Sequence, residues 1–302
     1  MRAVVVERPG GPEMLTLVDL PRPRPAPDVV LVEVEAVGVN PVDLGNRADP
    51  AWAGLHAPYV VGYELAGRVV DSDEPVWALL PVRGTTNGAL VERVAVPREY
   101  LAPRPPELHP IVAAALPMAG CTALQVLERM PMPAGSWVFV HGVTGGVGHL
   151  LVQLARGRGL HVAGAGRPEE RRRLEELGVD LVVDRAAPDP TAEAVAGLGH
   201  ELDAVVDLVG GRLEASLPAV RRGGRAATIV DLTGDLDLAI DRNIDLHGVL
   251  VTPGRDRLYE LSAAVAAGLR PHVSDTYPLE RVADAHRRLE AGRVGGKLVI
   301  TL

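Results

Sequence analysis

The stretch WVFVHGVTGGVGHLLVQLA, Trp137 to Ala155, decides the fold. Trp137 to His141 is apolar for the length of a buried strand, Gly142 to Gly146 is a small-residue turn, and from Gly146 onward the apolar spacing is helical. A strand that ends in glycines and feeds the first turn of a helix leaves backbone N–H groups pointing outward. With the positive end of the helix dipole beside them, they form a seat for a phosphate. The same glycines also suit a tight strand-to-helix turn that binds nothing, so the surrounding sequence must discriminate.

A second strand, HVAGAG at 161–166, follows at the spacing of a βαβ unit, and LVVD, LDAVVDLVG, RAATIVDL and DLHGVLVT continue the alternation of strand and helix. Strands that are apolar throughout and alternate with helices predict an α/β doubly wound parallel sheet covered on both faces. Gly142, Thr144, Gly145, Gly146 and Val147 are the candidate contacts to a dinucleotide at the turn, and Val209 and Gly210 are further candidates. At the end of the second strand an acidic residue, roughly 20 positions past the first glycine, meets a free ribose 2′-OH, whereas basic residues meet a 2′-phosphate. Here the chain reads GAGRPEERRR, with Gly166 where the acid would stand and Arg167 after it. Arg171 follows one helical turn on, and Arg185 lies past the third strand. This pattern points to NADPH over NADH. Arg171 to Arg173 also read as a solvated helix face pairing with Glu169, Glu170, Glu175 and Glu176.

A length of 302 residues is enough for two cores. From Met1 to about Pro110 short β-type runs such as VVLVEVEAVGV and YVVGYELAGRVV alternate with Pro, Gly and Asp turns, as in a β-barrel-like domain. The expected division is a substrate domain of residues 1–112 and 267–302 and a dinucleotide-binding domain of residues 113–266. PRPRPAP, residues 21–27, reads as a stiff loop. A net charge of −8 with scattered basic residues argues against nucleic acid or an anionic membrane as partner. The longest apolar run, Ile111 to Leu127, is interrupted by Pro117 and Gly120 and reads as a buried helix rather than a membrane span. MRAVVVERPGG reads as a strand and turn, not a signal peptide. The single cysteine, Cys121, allows neither an intramolecular disulfide nor a multi-cysteine zinc site, and fits a reducing cytoplasm. Lys297 is the only lysine among 31 Lys and Arg residues.

In their order and spacing, GVNPVDLGNRAD, VVGYELAGRVV, LPMAGCTALQVL, VFVHGVTGGVGHLLVQLA, LDAVVDLVGG, RRGGRAATIV and AHRRLEAGRVGGKLVITL resemble the zinc-independent quinone oxidoreductase branch of the medium-chain dehydrogenases/reductases. The resemblance implies a GroES-like β-barrel domain and a Rossmann domain with a cleft between them. It also implies NADPH-dependent hydride transfer to a quinone or an α,β-unsaturated carbonyl. Reduction of an enoyl thioester or polyketide-type intermediate, and an NADPH-binding sensor or structural protein without turnover, stand as alternatives. In zinc-dependent relatives metal ligands occupy the positions of Asn40 and Tyr63; amide and phenol are poor zinc ligands, so no metal is expected.

Carried over by the same resemblance, Asn40, Tyr63 and Thr122 are candidate catalytic residues, and Asn40 and Thr122 are also candidate cofactor contacts. Each has a structural reading beside the functional one: Asn40 fixes its own turn, Tyr63 packs in the core, Thr122 caps or packs a helix. Gly45 stands where relatives often carry a tyrosine that could donate a proton, which favours quinone over enoyl-thioester reduction. His141 and Cys121 read as packing residues, and Lys297 as either a support for the cleft or the start of a strand. A homodimer is expected, paired through the apolar edge strand LHGVLVT at 246–252.

Overall fold

The run Trp137–His141 forms the third strand in space of a six-stranded parallel sheet, because Val138, Phe139 and Val140 present apolar groups to both faces and are fully buried. The computed structural model describes residues 1–24, 26–292 and 294–302; Pro25, in the proline-rich loop, and Arg293 lie outside the described residues. The strands run in the order Leu181–Asp184, His161–Gly166, Trp137–His141, Leu202–Asp207, Val220–Thr228, Asp245–Gly248. Chain order reverses between the third and fourth of these, the place where doubly wound sheets bind ligands beyond the carboxyl ends of their strands.

The helix after the turn spans Gly148–Gly157, two residues later than the spacing suggests. The difference lies in the turn itself, where the Gly145 N–H closes on Gly142 O at 2.9 Å. Gly142 has φ 79°, which favours glycine, and a Cβ on Gly148 would lie 2.2 Å from Gly142 O and 2.7 Å from Val143 Cα. Turn and helix therefore touch backbone to backbone. The edge strand is Asp245–Gly248, ending short of the expected Thr252: Val249 N makes a further bond to Thr228 O at 2.8 Å, and Leu250 is half exposed beyond it.

This sheet and its helices form one unit, Thr122–Val251; the other comprises Met1–Cys121 and Thr252–Leu302. The second boundary falls well before the expected residue 266, because the helix Arg255–Ala266 packs within the first-numbered unit. Arg255 Nε donates to Leu101 O at 2.9 Å, and Leu261 lies where a Cβ on Gly120 would be, 2.5 Å from Leu261 Cδ1. In that unit Val29–Val39 is the central strand. It pairs antiparallel with Lys297–Thr301, Glu64–Val69 and Arg93–Pro97. A smaller sheet sets Arg2–Val6 between Leu15–Asp19 and Tyr59–Val60. Val4, Val6, Val32, Leu65, Ala78, Val96 and Ile300 belong to its core. Among the described residues no helix is long and apolar enough to cross a membrane.

Replacing Gly148 by Ala should cost about 1–3 kcal/mol, the usual range for overpacking, because the new methyl meets backbone that no rotamer change can move. Denaturant melts check this, and an unchanged midpoint would show that the turn relaxes freely.

Candidate functional site

At the carboxyl end of the parallel sheet the structure brings the turn 142–147 beside the loop after Leu202–Asp207. A Cβ on Gly142 would lie 2.9 Å from Val209 Cγ1, and Gly210 follows with φ 89°. Among the described residues none accepts the backbone N–H of Gly146 or Val147. Unpaired amides at the start of the ten-residue helix Gly148–Gly157 fit the pyrophosphate of a dinucleotide.

Beside them, Gly166 ends the second strand. A Cβ there would lie 2.4 Å from Leu174 Cδ1, so a side chain at this position would require the end of Leu174 to shift. Arg185 N–H donates to Gly166 O at 2.9 Å, which places Arg185 at the same strand end as Arg167. Neither guanidinium has an ion-pair partner among the described residues. Arg171 lies 3.7 Å from Glu175, one turn along an exposed helix face.

The other unit holds a buried polar cluster built on the only lysine. Lys297 opens the last strand and donates to Val39 O at 3.1 Å, to Glu64 Oε1 at 2.7 Å and to Asn40 Oδ1. Asn40 Nδ2 donates to the same Glu64 oxygen at 2.7 Å and lies 3.4 Å from Gly38 O, so both ends of its amide are engaged by protein groups. Glu64 Oε2 accepts the Met118 N–H at 2.7 Å, in the first turn of the helix Pro117–Arg129. Gly38 is a close approach: a Cβ there would stand 2.2 Å from Glu64 Oε1.

Tyr63 is fully buried, and its hydroxyl accepts from Asn46 Nδ2 at 2.5 Å. Burial, reinforced by the Asp43 carboxylate, pushes the phenol well above its ordinary range. Nothing lies within 4 Å of a Cβ built on Gly45. Thr122 is buried on the helix Pro117–Arg129, at the start of the sheet-bearing unit.

Zinc does not fit the Asn40 and Tyr63 positions. An ammonium already occupies the Asn40 oxygen, the Tyr63 oxygen is engaged by Asn46, and neither amide nor phenol is a favoured donor. Among the described residues no group of three His, Cys, Asp or Glu is placed to hold a metal. Glu64, Asp43, Asn46 and Asp207 were not anticipated. The signal for Asp207 is an acid ending an apolar strand, with two residues between it and Gly-Gly; for Glu64 it is a carboxylate opening the strand Glu64–Val69 directly after the apolar YVVGY.

Asp43 Oδ2 accepts the Asn40 N–H at 2.7 Å, the Gly62 N–H also favours the carboxylate, and Asn46 Oδ1 has no hydrogen-bond partner among the described residues. Burial, with help from the Glu64 charge and against the pull of the Asn40 N–H and Lys297, raises the Asp43 carboxyl from 3.8 to about 7. The folded chain then keeps a proton that the unfolded chain releases near 3.8, so this group weakens the fold as pH rises between those values. Asp43→Asn removes that loss. The melting temperature of the variant minus that of the wild type should become more positive from about pH 4 to about pH 8; a flat difference would mean that Asp43 is ionised throughout.

Residues 26–106 match the model of the alcohol dehydrogenase GroES-like domain, and residues 177–300 match that of a zinc-binding dehydrogenase. A quinone oxidoreductase of Lama guanicoe is 30% identical over 323 residues, covering 100% of this chain and 98% of its own. An NADPH-dependent alkenal/one oxidoreductase of Arabidopsis thaliana, chloroplastic, is 31% identical, covering 99% of this chain and 79% of its own. Among solved structures, the quinone oxidoreductase of Thermus thermophilus, studied also in complex with NADPH, is 34% identical and superposes with a TM-score of 0.88 over 100% of both chains. Strand order, glycine turn, GroES-like unit and these full-length likenesses agree: the chain belongs to the medium-chain dehydrogenase/reductase superfamily, in its zinc-independent quinone oxidoreductase branch, and is an oxidoreductase of the nicotinamide-cofactor class.

Proposed function

We propose that the chain is an NADPH-dependent reductase that delivers a hydride to a quinone or an α,β-unsaturated carbonyl without a metal. The observation that carries the reading is the end of the second strand, where Gly166 supplies no acidic side chain while Arg167 and Arg185 stand there without ion-pair partners among the described residues. That arrangement suits a 2′-phosphate and offers nothing to a free ribose hydroxyl. A nicotinamide cofactor held at these strand ends would supply the hydride that an electrophilic quinone or enone accepts. The amides of Gly146 and Val147 bind the pyrophosphate and orient the dinucleotide across the strand ends. Asn40 enters this reading as a side chain aligned by Lys297 and Glu64. Gly45 itself supplies no proton donor where relatives often carry a tyrosine, which favours quinones over enoyl thioesters. Activity names on the relatives, quinone and alkenal/one reduction, support the same acceptor class.

Charge-assisted hydrogen bonds to a phosphate contribute about 1.5–3 kcal/mol, less for a half-buried side chain such as Arg167 that water still reaches. Arg167→Ala should therefore lower kcat/KM for NADPH by about tenfold and leave NADH nearly untouched, since each 1.4 kcal/mol is one decade. Steady-state oxidation of both cofactors with a simple quinone and a simple enone tests this. Equal losses would assign the arginine to folding, and no turnover with any acceptor would favour a binding protein.

Purified protein should carry no stoichiometric zinc, and chelators should leave its activity intact. One zinc per chain, removed together with activity, would overturn the metal-free reading.

A further inference from the structure

Beyond the glycine turn, one buried polar network in the sheet-bearing unit has no part in the reading above. Asp207 ends the fourth strand, fully buried, opposite His141 in the last pair of the parallel ladder. Its Oδ1 accepts the N–H groups of Val209 and Gly210, both at 2.9 Å, and its Oδ2 accepts that of Arg212 at 2.8 Å. Gly210 and Gly211, with φ 89° and 66°, let the chain curl around the carboxylate. The far end of the loop is held by its carbonyl. Ser216 Oγ donates to Arg212 O at 2.7 Å, and His141 Nε2 lies 2.8 Å from the same Oγ. The serine proton is spent on Arg212, so Oγ is the acceptor and His141 must carry its proton on Nε2. Burial drives the imidazolium down to about 4, which keeps the ring neutral near neutrality.

We propose that Asp207, His141 and Ser216 are positioning residues that clamp the loop 208–212 in the shape in which it meets the dinucleotide. This rests on the nicotinamide-cofactor reading of the same strand ends. The loop stands at the point where chain order reverses, its Val209 is exposed and packs against the Gly142 turn, and its backbone N–H groups are turned inward onto Asp207. Release of the clamp frees those amides and moves Val209 off the turn, on the side that both NADPH and NADH share.

The test compares Ser216→Ala with Ser216→Thr, which restores the hydroxyl. In the nucleotide-free chain, hydrogen exchange at the amides of 209–212 should accelerate in the alanine variant and stay slow in the threonine variant. Titration calorimetry should show NADPH and NADH both weakened about tenfold by Ser216→Ala and unchanged by Ser216→Thr, with KM raised more than kcat is lowered. Equal affinities in both variants, or a loss confined to NADPH, would overturn the clamp. If the alanine variant does not fold, His141→Gln, which can still donate to Oγ, against His141→Leu gives the same comparison. A wild-type chain that binds neither nucleotide overturns the cofactor reading and this proposal with it, whatever its exchange rates.

Discussion

One ammonium group organises the barrel-bearing unit. Three acceptors, Val39 O, Asn40 Oδ1 and Glu64 Oε1, converge on Lys297 Nζ, from the end of the central strand, the residue after it and the neighbouring strand. A charge taken this far from water is costly unless paired and hydrogen-bonded on every side, and here it is. Through Glu64 the same group reaches the first turn of the helix Pro117–Arg129, and through Asn40 the turn that begins the helix Pro41–Ala48. Arg47 shows why arginine, used at every other cationic position, would not serve. Its donors spread to Gly10 O, His286 Nδ1 and Glu290, three acceptors on three sides of a planar fork. Three acceptors gathered on a single point suit an ammonium.

In the sheet-bearing unit the governing constraint is the absence of side chains. Gly148 lets helix and turn meet at backbone distance, Gly142 keeps space for Val209, and Gly166 yields to Leu174. Each missing Cβ also decides what a ligand can meet. Without Cβ atoms the turn exposes amides, and without an acid the second strand end is left to arginines.

The strand-turn-helix unit, the parallel alternation and the β-rich character of the first hundred residues were legible because each follows from local periodicity and turn chemistry. The position of the helix Arg255–Ala266 was not: its boundary depends on Leu261 filling the space at Gly120 and on Arg255 reaching Leu101, contacts between residues far apart in sequence. The partners of Asn40 were hidden for the same reason. Lys297 lies 257 residues away, and only the folded sheet sets it against Val39. The core reading of Tyr63 holds, but its hydroxyl partner was hidden, because the local sequence does not reveal that helix Pro41–Ala48 supplies Asn46 to it.

Two glycine-rich loops at neighbouring strand ends use the same backbone donors to opposite effect. After Asp207 the amides of Val209, Gly210 and Arg212 close onto a buried carboxylate of the chain, so that loop is electrostatically complete. After His141 the amides of Gly146 and Val147 find no acceptor among the described residues, and the helix dipole adds positive potential at the same point. One loop is thus satisfied by the chain itself, and the other leaves its donors outward at the helix start. Since the two touch at Gly142 and Val209, the buried carboxylate that closes one loop also bears on the shape of the other.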